Sequence, residues 1–348
     1  MIAAHEDTRL LDNLRFACGG LMVGALEDEA VIEIMLNPDS SLWIERYGQD
    51  HERIGEIPRK AAESVMYLVA SALKLTVNEK NPIVEGEFPL DGSRFEGTFP
   101  PIVGPGPSFS LRKKASRVFT LEEYRLAGSV TPEVVRIIED AVMNRLNIVV
   151  VGGTSSGKTT FVNAVIDAVF RLTPSHRLLI LEDTAELQSK SPNSVFLRTS
   201  VLAEVDMRKL AKVSMRYAPK RILVGEVRDA AALEMLKLWN TGHPGGISTF
   251  HADSAEEALP RLEELVEEAG LGPKQKLIGR AVDLAVYMEK TPDNQRRISS
   301  IVRVNGFTAK LASYTTDLLH SVAASRRGKQ ARGTSTPHLQ YGARVATT

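Results

Sequence analysis

The chain has 348 residues, enough for two domains, and is 43% hydrophobic and 25% charged, the balance of a soluble globular protein. Its 43 basic residues match 43 acidic ones, so overall charge gives no reason for tight, nonspecific nucleic-acid binding. One cysteine, Cys18, excludes an internal disulfide and a four-cysteine zinc site and points to a reducing compartment, and no run approaches the roughly 18 apolar residues of a membrane span.

Residues 8–26 read as a helix. Its apolar part, 17–26, follows His5-Glu6-Asp7. That charge has the wrong sign for a signal peptide, so a buried helix of a cytoplasmic protein is expected. Short strands are expected at Val31–Leu36 and at 42–45, separated by the turn residues Asn37-Pro38-Asp39. Residues 58–74 predict a helix with Ala61, Val65, Leu68 and Ala72 on one face. A strand-rich stretch over 83–111 completes a small α+β domain, 1–112. Residues 113–130 read as a linker, and Thr131-Pro132 suit the N-cap and first position of a new helix.

A near-continuous apolar run at 147–151 suits a buried parallel strand. A helix is expected at 158–171. Strands at 177–182, 195–199, 221–226 and 246–250 then alternate with helices at 205–216, 229–240 and 254–268. The alternation predicts an α/β domain over 131–310 with a mostly parallel sheet, closed by strands within 283–305. From Leu318 onward five basic residues occur without an acid. A disordered basic tail, 311–348, is expected, with weak attraction to anionic lipid.

The segment Gly152-Gly153-Thr154-Ser155-Ser156-Gly157-Lys158-Thr159-Thr160 fits G-x4-G-K-[ST] at every required position. It lies between a predicted strand and a predicted helix, the context the motif needs. Glycines let backbone N–H groups curl around a phosphate, and the helix N-terminus adds partial positive charge. Lys158 is expected on the β- and γ-phosphates of ATP, and the Thr159 hydroxyl on Mg²⁺.

Hydrolysis needs more than binding. The strand 221–226 leads into Gly225-Glu226-Val227-Arg228-Asp229, with glycine where such strands usually end in Asp. Glu226 is therefore the candidate for directing water, and the metal needs another acid. Glu182-Asp183-Thr184-Ala185-Glu186 can provide it, because strand C-terminal ends gather at the ligand crevice of a parallel sheet. Glu182 and Asp183 are assigned to the metal and Glu186 to catalysis. Two histidines bracket the Gly-rich turn and strand of 243–251. His251, at the strand end, is the candidate γ-phosphate sensor. His243 either joins it or caps the preceding helix.

In this order, the phosphate loop, acidic box, Glu226 segment and histidine box resemble those of the secretion-ATPase superfamily. The chain is most similar to its TrbB family of conjugative-transfer ATPases. Supporting stretches are 31–38 with Leu42-Trp43-Ile44, then Pro89-Leu90-Asp91-Gly92-Ser93-Arg94, Pro100-Pro101 and Ser110-Leu111-Arg112-Lys113. The likeness spans roughly 8–308. It implies a homo-hexameric ring, an N-terminal sensory domain and a C-terminal RecA-like ATPase domain, with ATP between them. It also implies that Arg94 and Arg112 reach the nucleotide. The expected role is a motor at the cytoplasmic face of the inner membrane, peripherally bound to channel components. A type IV pilus or type II secretion motor remains open, though the latter usually carries the zinc module excluded above. A nucleotide-dependent scaffold with negligible turnover is the reading from another class. Neutral charge and the lack of aromatic-basic interleaving weigh against a nucleic-acid translocase.

Overall fold

The computed structural model describes residues 2–114, 117–200, 203–270 and 272–322. The N-terminal part comprises α1 (Ile2–Glu27), β1 (Val31–Leu36), β2 (Ser41–Arg46), β3 (Glu52–Glu56), α2 (Arg59–Ala72), β4 (Ile83–Glu87), β5 (Arg94–Thr98) and β6 (Ser108–Arg112). The strands form one sheet in the order β3-β2-β1-β6-β5-β4, antiparallel throughout. Leu14, Cys18 and Met22 of α1 and Val65, Met66 and Val69 of α2 share one buried core with the sheet residues Ile34, Phe95 and Leu111. The buried face of α2 is Ala62, Val65, Met66, Val69 and Ala70. The expected stripe through Ala61, Leu68 and Ala72 is thus rotated by about one residue, because both α1 and the sheet pack on this helix. α1 is kinked where Gly19 adopts φ 67°.

Then follow α3 (Leu121–Leu126), α4 (Pro132–Met143), β7 (Ile148–Gly152), α5 (Lys158–Leu172), β8 (Leu178–Glu182), β9 (Ser194–Arg198), α6 (Met207–Ser214) and β10 (Arg221–Val224). The chain continues through α7 (Ala231–Trp239), β11 (Ile247–Phe250), α8 (Ala258–Glu267), α9 (Gln275–Ala281), β12 (Leu284–Lys290), β13 (Arg296–Thr308) and β14 (Ser313–Ser321). The Thr131 hydroxyl accepts from Val134 N at 3.2 Å and caps α4, as expected. Within 113–130, read as a linker, α3 forms behind a capping box of Thr120 and Glu123.

β10, β8 and β9 pair in parallel, as do β11, β7 and β12, whereas β13 and β14 run antiparallel to their neighbours. Thr249 N donates to Gly225 O (3.1 Å) and Val227 N to Thr249 O (2.8 Å), which lays β10 beside β11. The alternation of β7 explains its unbroken apolar run. Val149 and Val151 face the core under α6–α9, and Ile148 and Val150 face the core under α3–α5. A strand buried on both faces has no polar side to show in its sequence.

The sheet extends further along the chain than the sequence suggests. β14 pairs with β13 along most of its length. The expected tail, 311–348, therefore begins in the turn before β14, and Ser313–Ser321 belongs to the sheet. β14 is largely exposed and polar, so it lacks the apolar alternation that marks a strand. Residues 323–348, with the expected disorder and lipid attraction, lie outside the described residues. Among the described residues, no helix is long and apolar enough to cross a membrane.

Candidate active site

β7 ends at Gly152 and α5 begins at Lys158, so the loop between them wraps the helix N-terminus, where backbone dipoles favour anions. Two glycines are required here. A Cβ on Gly152 would lie 2.1 Å from the carbonyl oxygen of Met288, and Gly157 caps the helix at φ 92°. Lys158 Nζ donates to Gly152 O (3.0 Å) and Gly153 O (2.9 Å) and lies 3.5 Å from His251 Nδ1. Burial pushes its ammonium down to about 8, against the pull of the Glu226 charge. A buried cation hydrogen-bonded to neutral carbonyls, with the Glu226 and Glu186 carboxylates acting on it through charge alone, gains strongly from an incoming phosphate.

The acidic box is organised around Glu182, at the end of β8. Its Oε1 accepts from Glu186 N (2.9 Å) and Leu187 N (2.7 Å). Its Oε2 is buried without a protein partner, and burial raises its carboxyl above the usual range. Thr159 Oγ1 donates to Glu186 Oε2 at 3.1 Å. Asp183 is exposed and accepts instead from the Thr199 hydroxyl at 2.9 Å. So Glu186, assigned to catalysis from sequence, meets the hydroxyl, and Asp183, assigned to the metal, turns toward the end of β9. A loop's side-chain directions do not follow from spacing. Among the described residues, no group of three His, Cys, Asp or Glu side chains forms a metal site by itself. The orphaned Glu182 Oε2 beside the Thr159–Glu186 pair suits a cation that arrives with phosphate oxygens.

Gly225 replaces the usual strand-end acid for a visible reason. A Cβ there would lie 3.3 Å from Glu182 Cγ, so the Glu182 side chain already fills that space. Glu226, the next residue, is held twice. Arg228 Nε donates to its Oε2 at 2.8 Å, and His251 Nε2 stands 3.0 Å from its Oε1. Burial pushes this carboxyl up, but the bond and charge of Arg228, with His251 and Lys158, hold it below the usual range.

Arg94 and Arg112 are cross-strand neighbours on β5 and β6. Arg94 lines a cleft with Thr159, Glu186 and Glu226, and both arginines line an adjoining one with Thr159, Thr160 and Glu186. The N-terminal sheet thus reaches the phosphate loop. His243 does not. It precedes β11, near Asn147, whose side chain accepts from Gly245 N and Gly246 N. His251 follows the other end, about 13 Å away at 3.3 Å per strand residue. The glycines between them serve packing, since a Cβ on Gly246 would overlap the Trp239 ring at 2.0 Å.

Sequence reasoning gave no role to Asn163, Arg228 or Arg296. Asn163 sits one turn after Thr159 on α5. It donates to Glu186 O (3.1 Å) and accepts from Gln188 N (2.8 Å), tying the acidic box to the helix. Its i+4 spacing from Thr159 was the available signal.

A model of the type II/IV secretion system protein family matches residues 20–306. A probable conjugal transfer protein TrbB of Sinorhizobium fredii is 49% identical over 299 residues, 86% of this chain and 91% of the relative. The conjugal transfer protein TrbB of Rhizobium radiobacter is 46% identical over 307 residues, 88% and 94% of the two chains. In fold, the chain is similar to the ATPase DotB of Legionella pneumophila, with TM-score 0.56 and 20% identity over 80% of this chain and 78% of that one. With the phosphate loop, the paired carboxylates and these relatives together, the chain belongs to the type II/IV secretion system protein family, among its TrbB conjugal transfer proteins.

Proposed function

We propose that the chain is the ATP-hydrolysing motor of a conjugative type IV secretion system. The carrying observation is one cleft lined by Thr159, Glu186 and Glu226 of the C-terminal part together with Arg94 of the N-terminal sheet. In this reading residues 131–310 form a RecA-like ATPase domain and 1–112 a domain that senses its state. Lys158 supplies counter-charge to the β- and γ-phosphates. Thr159 and Glu186, with Glu182 in the outer shell, would hold Mg²⁺, which when bound neutralises charge on the phosphates. Glu226, oriented by Arg228 and His251, directs the attacking water. Arg94 and Arg112 bring positive charge to the γ-phosphate. The motor works as a homo-hexamer, peripheral at the cytoplasmic face of the inner membrane and engaged with channel components. The neutral overall charge and the lack of aromatic-basic interleaving give no support to a nucleic-acid translocase.

The test is Lys158→Ala. Without the ammonium the principal counter-charge is gone, and ATP hydrolysis by the purified protein should vanish. Wild-type turnover in that variant would refute the reading.

A further inference from the structure

We propose that Arg296 is a positioning residue of the phosphate-binding loop, and that Tyr47 of the N-terminal part holds it in place. The proposal rests on reading that loop as the ATP phosphate site. Arg296 opens β13. Its Nε donates to Ser155 O at 3.2 Å. Its Cδ packs against the bare backbone of Gly157, where a Cβ would come within 3.2 Å. Its guanidinium lies over the Tyr47 ring, 4.9 Å from the centroid.

Ser155 is the reason the loop needs such a contact. It adopts φ 57°, a left-handed conformation that costs a residue with a side chain on the order of 1 kcal/mol. Such strain persists where the surroundings over-determine it. The bond from Arg296 to the Ser155 carbonyl is one of those constraints, and it holds the turn whose amides face phosphate.

Tyr47 ties that constraint to the other sheet. It follows β2 directly, and its backbone N donates to Ala30 O at 3.0 Å. Its ring stands 6.5 Å from Phe119, which meets Tyr124 edge-on at 6.3 Å, which meets Phe161 of α5 edge-on at 5.5 Å. Yet Tyr47 is 57% exposed, so its ring adds little to core packing. What it does is stack on Arg296. A displacement of the N-terminal sheet moves Tyr47, releases Arg296 and loosens Ser155. Phosphate affinity thereby depends on where that sheet sits, on a path separate from Arg94 and Arg112.

The experiment compares full-length wild type, Tyr47→Ala, Tyr47→Phe, Arg296→Ala and Lys158→Ala. Affinities for ADP and for inorganic tripolyphosphate are measured by calorimetry, and melting temperatures on the same preparations. Loss of one hydrogen bond or one cation–π contact predicts about three- to tenfold weaker binding of both ligands in Tyr47→Ala and Arg296→Ala. Tyr47→Phe, which keeps the ring, should bind as wild type. The melting temperature of Tyr47→Ala should stay within about 2 °C, as for exposed substitutions generally. Should Arg296→Ala fold poorly, Tyr47→Ala decides alone. Weakening of ADP but not of tripolyphosphate would mean that Tyr47 touches the nucleoside, and would overturn the proposal. So would equal losses in Tyr47→Phe and Tyr47→Ala. If Lys158→Ala loses both ligands while Tyr47→Ala and Arg296→Ala keep them, only the relay is wrong. If Lys158→Ala binds both normally, the loop is not the phosphate site at all.

Discussion

His251 Nε2 stands 3.0 Å from Glu226 Oε1, and the two residues reach each other from adjacent parallel strands through the Thr249–Gly225 and Val227–Thr249 backbone bonds. The pairing fixes one carboxylate oxygen while Arg228 fixes the other. A carboxylate held on both oxygens and kept ionised is prepared to orient water. Glu226→Gln should therefore lower turnover by about a hundredfold or more while ATP still binds. Single-turnover hydrolysis and equilibrium ATP binding, measured together, check this. Unchanged turnover would remove Glu226 from the chemistry.

Arg112→Ala tests whether the N-terminal sheet takes part in hydrolysis. Arginines acting on γ-phosphate charge accelerate phosphoryl transfer by about 10³–10⁵ in well-studied NTPases. The variant should lose at least about tenfold in turnover, with ADP affinity little changed, because ADP has no γ-phosphate. Arg94→Ala should behave alike, since its partner Glu85 is 3.9 Å away on the exposed side. Parallel losses in ADP affinity and melting temperature would instead mark a structural role.

Lys158 supplies a pH signature. Its pKa falls to about 8 through burial. Only the protonated form attracts phosphate, so ADP affinity should be level below pH 8 and fall as pH rises past it. The slope approaches tenfold per pH unit until the bound-state pKa is reached. Near pH 8 binding should also take up a fraction of a proton, because phosphate raises the lysine pKa. Calorimetry without metal, in buffers of different ionisation enthalpy, reads both effects. Affinity that climbs from pH 8 to 9 would contradict them.

Asn147→Ala should damage stability rather than chemistry. The side chain accepts from Gly245 N and Gly246 N and donates to Ala281 O, joining the entry of β11 to the end of α9. Alanine leaves three buried backbone groups unpaired, at about 1–3 kcal/mol each. The melting temperature should drop by about 5 °C or more, while ADP affinity at low temperature stays within about twofold. A melting temperature equal to wild type would show that water replaces the amide.

The parts legible in the sequence are those whose chemistry is contiguous or periodic. The phosphate loop is one unbroken run, 152–160, so its role follows from local backbone geometry. The buried strands show themselves because both faces are apolar. Glu226 shows itself because the strand before it ends there. Other features depended on where distant segments meet. The two histidines look equivalent in the sequence, yet a strand's length divides them, and only His251 has Glu226 beside it. Glu186 rather than Asp183 meets Thr159 because Glu182 draws the loop's amides inward. Arg94 and Arg112 face the loop only because one sheet is packed against another. β14 is invisible in the sequence because an exposed edge strand needs no apolar pattern. The Arg296–Tyr47 stack joins residues almost 250 positions apart, a pairing that no periodicity encodes and that only the packing of the two sheets brings together.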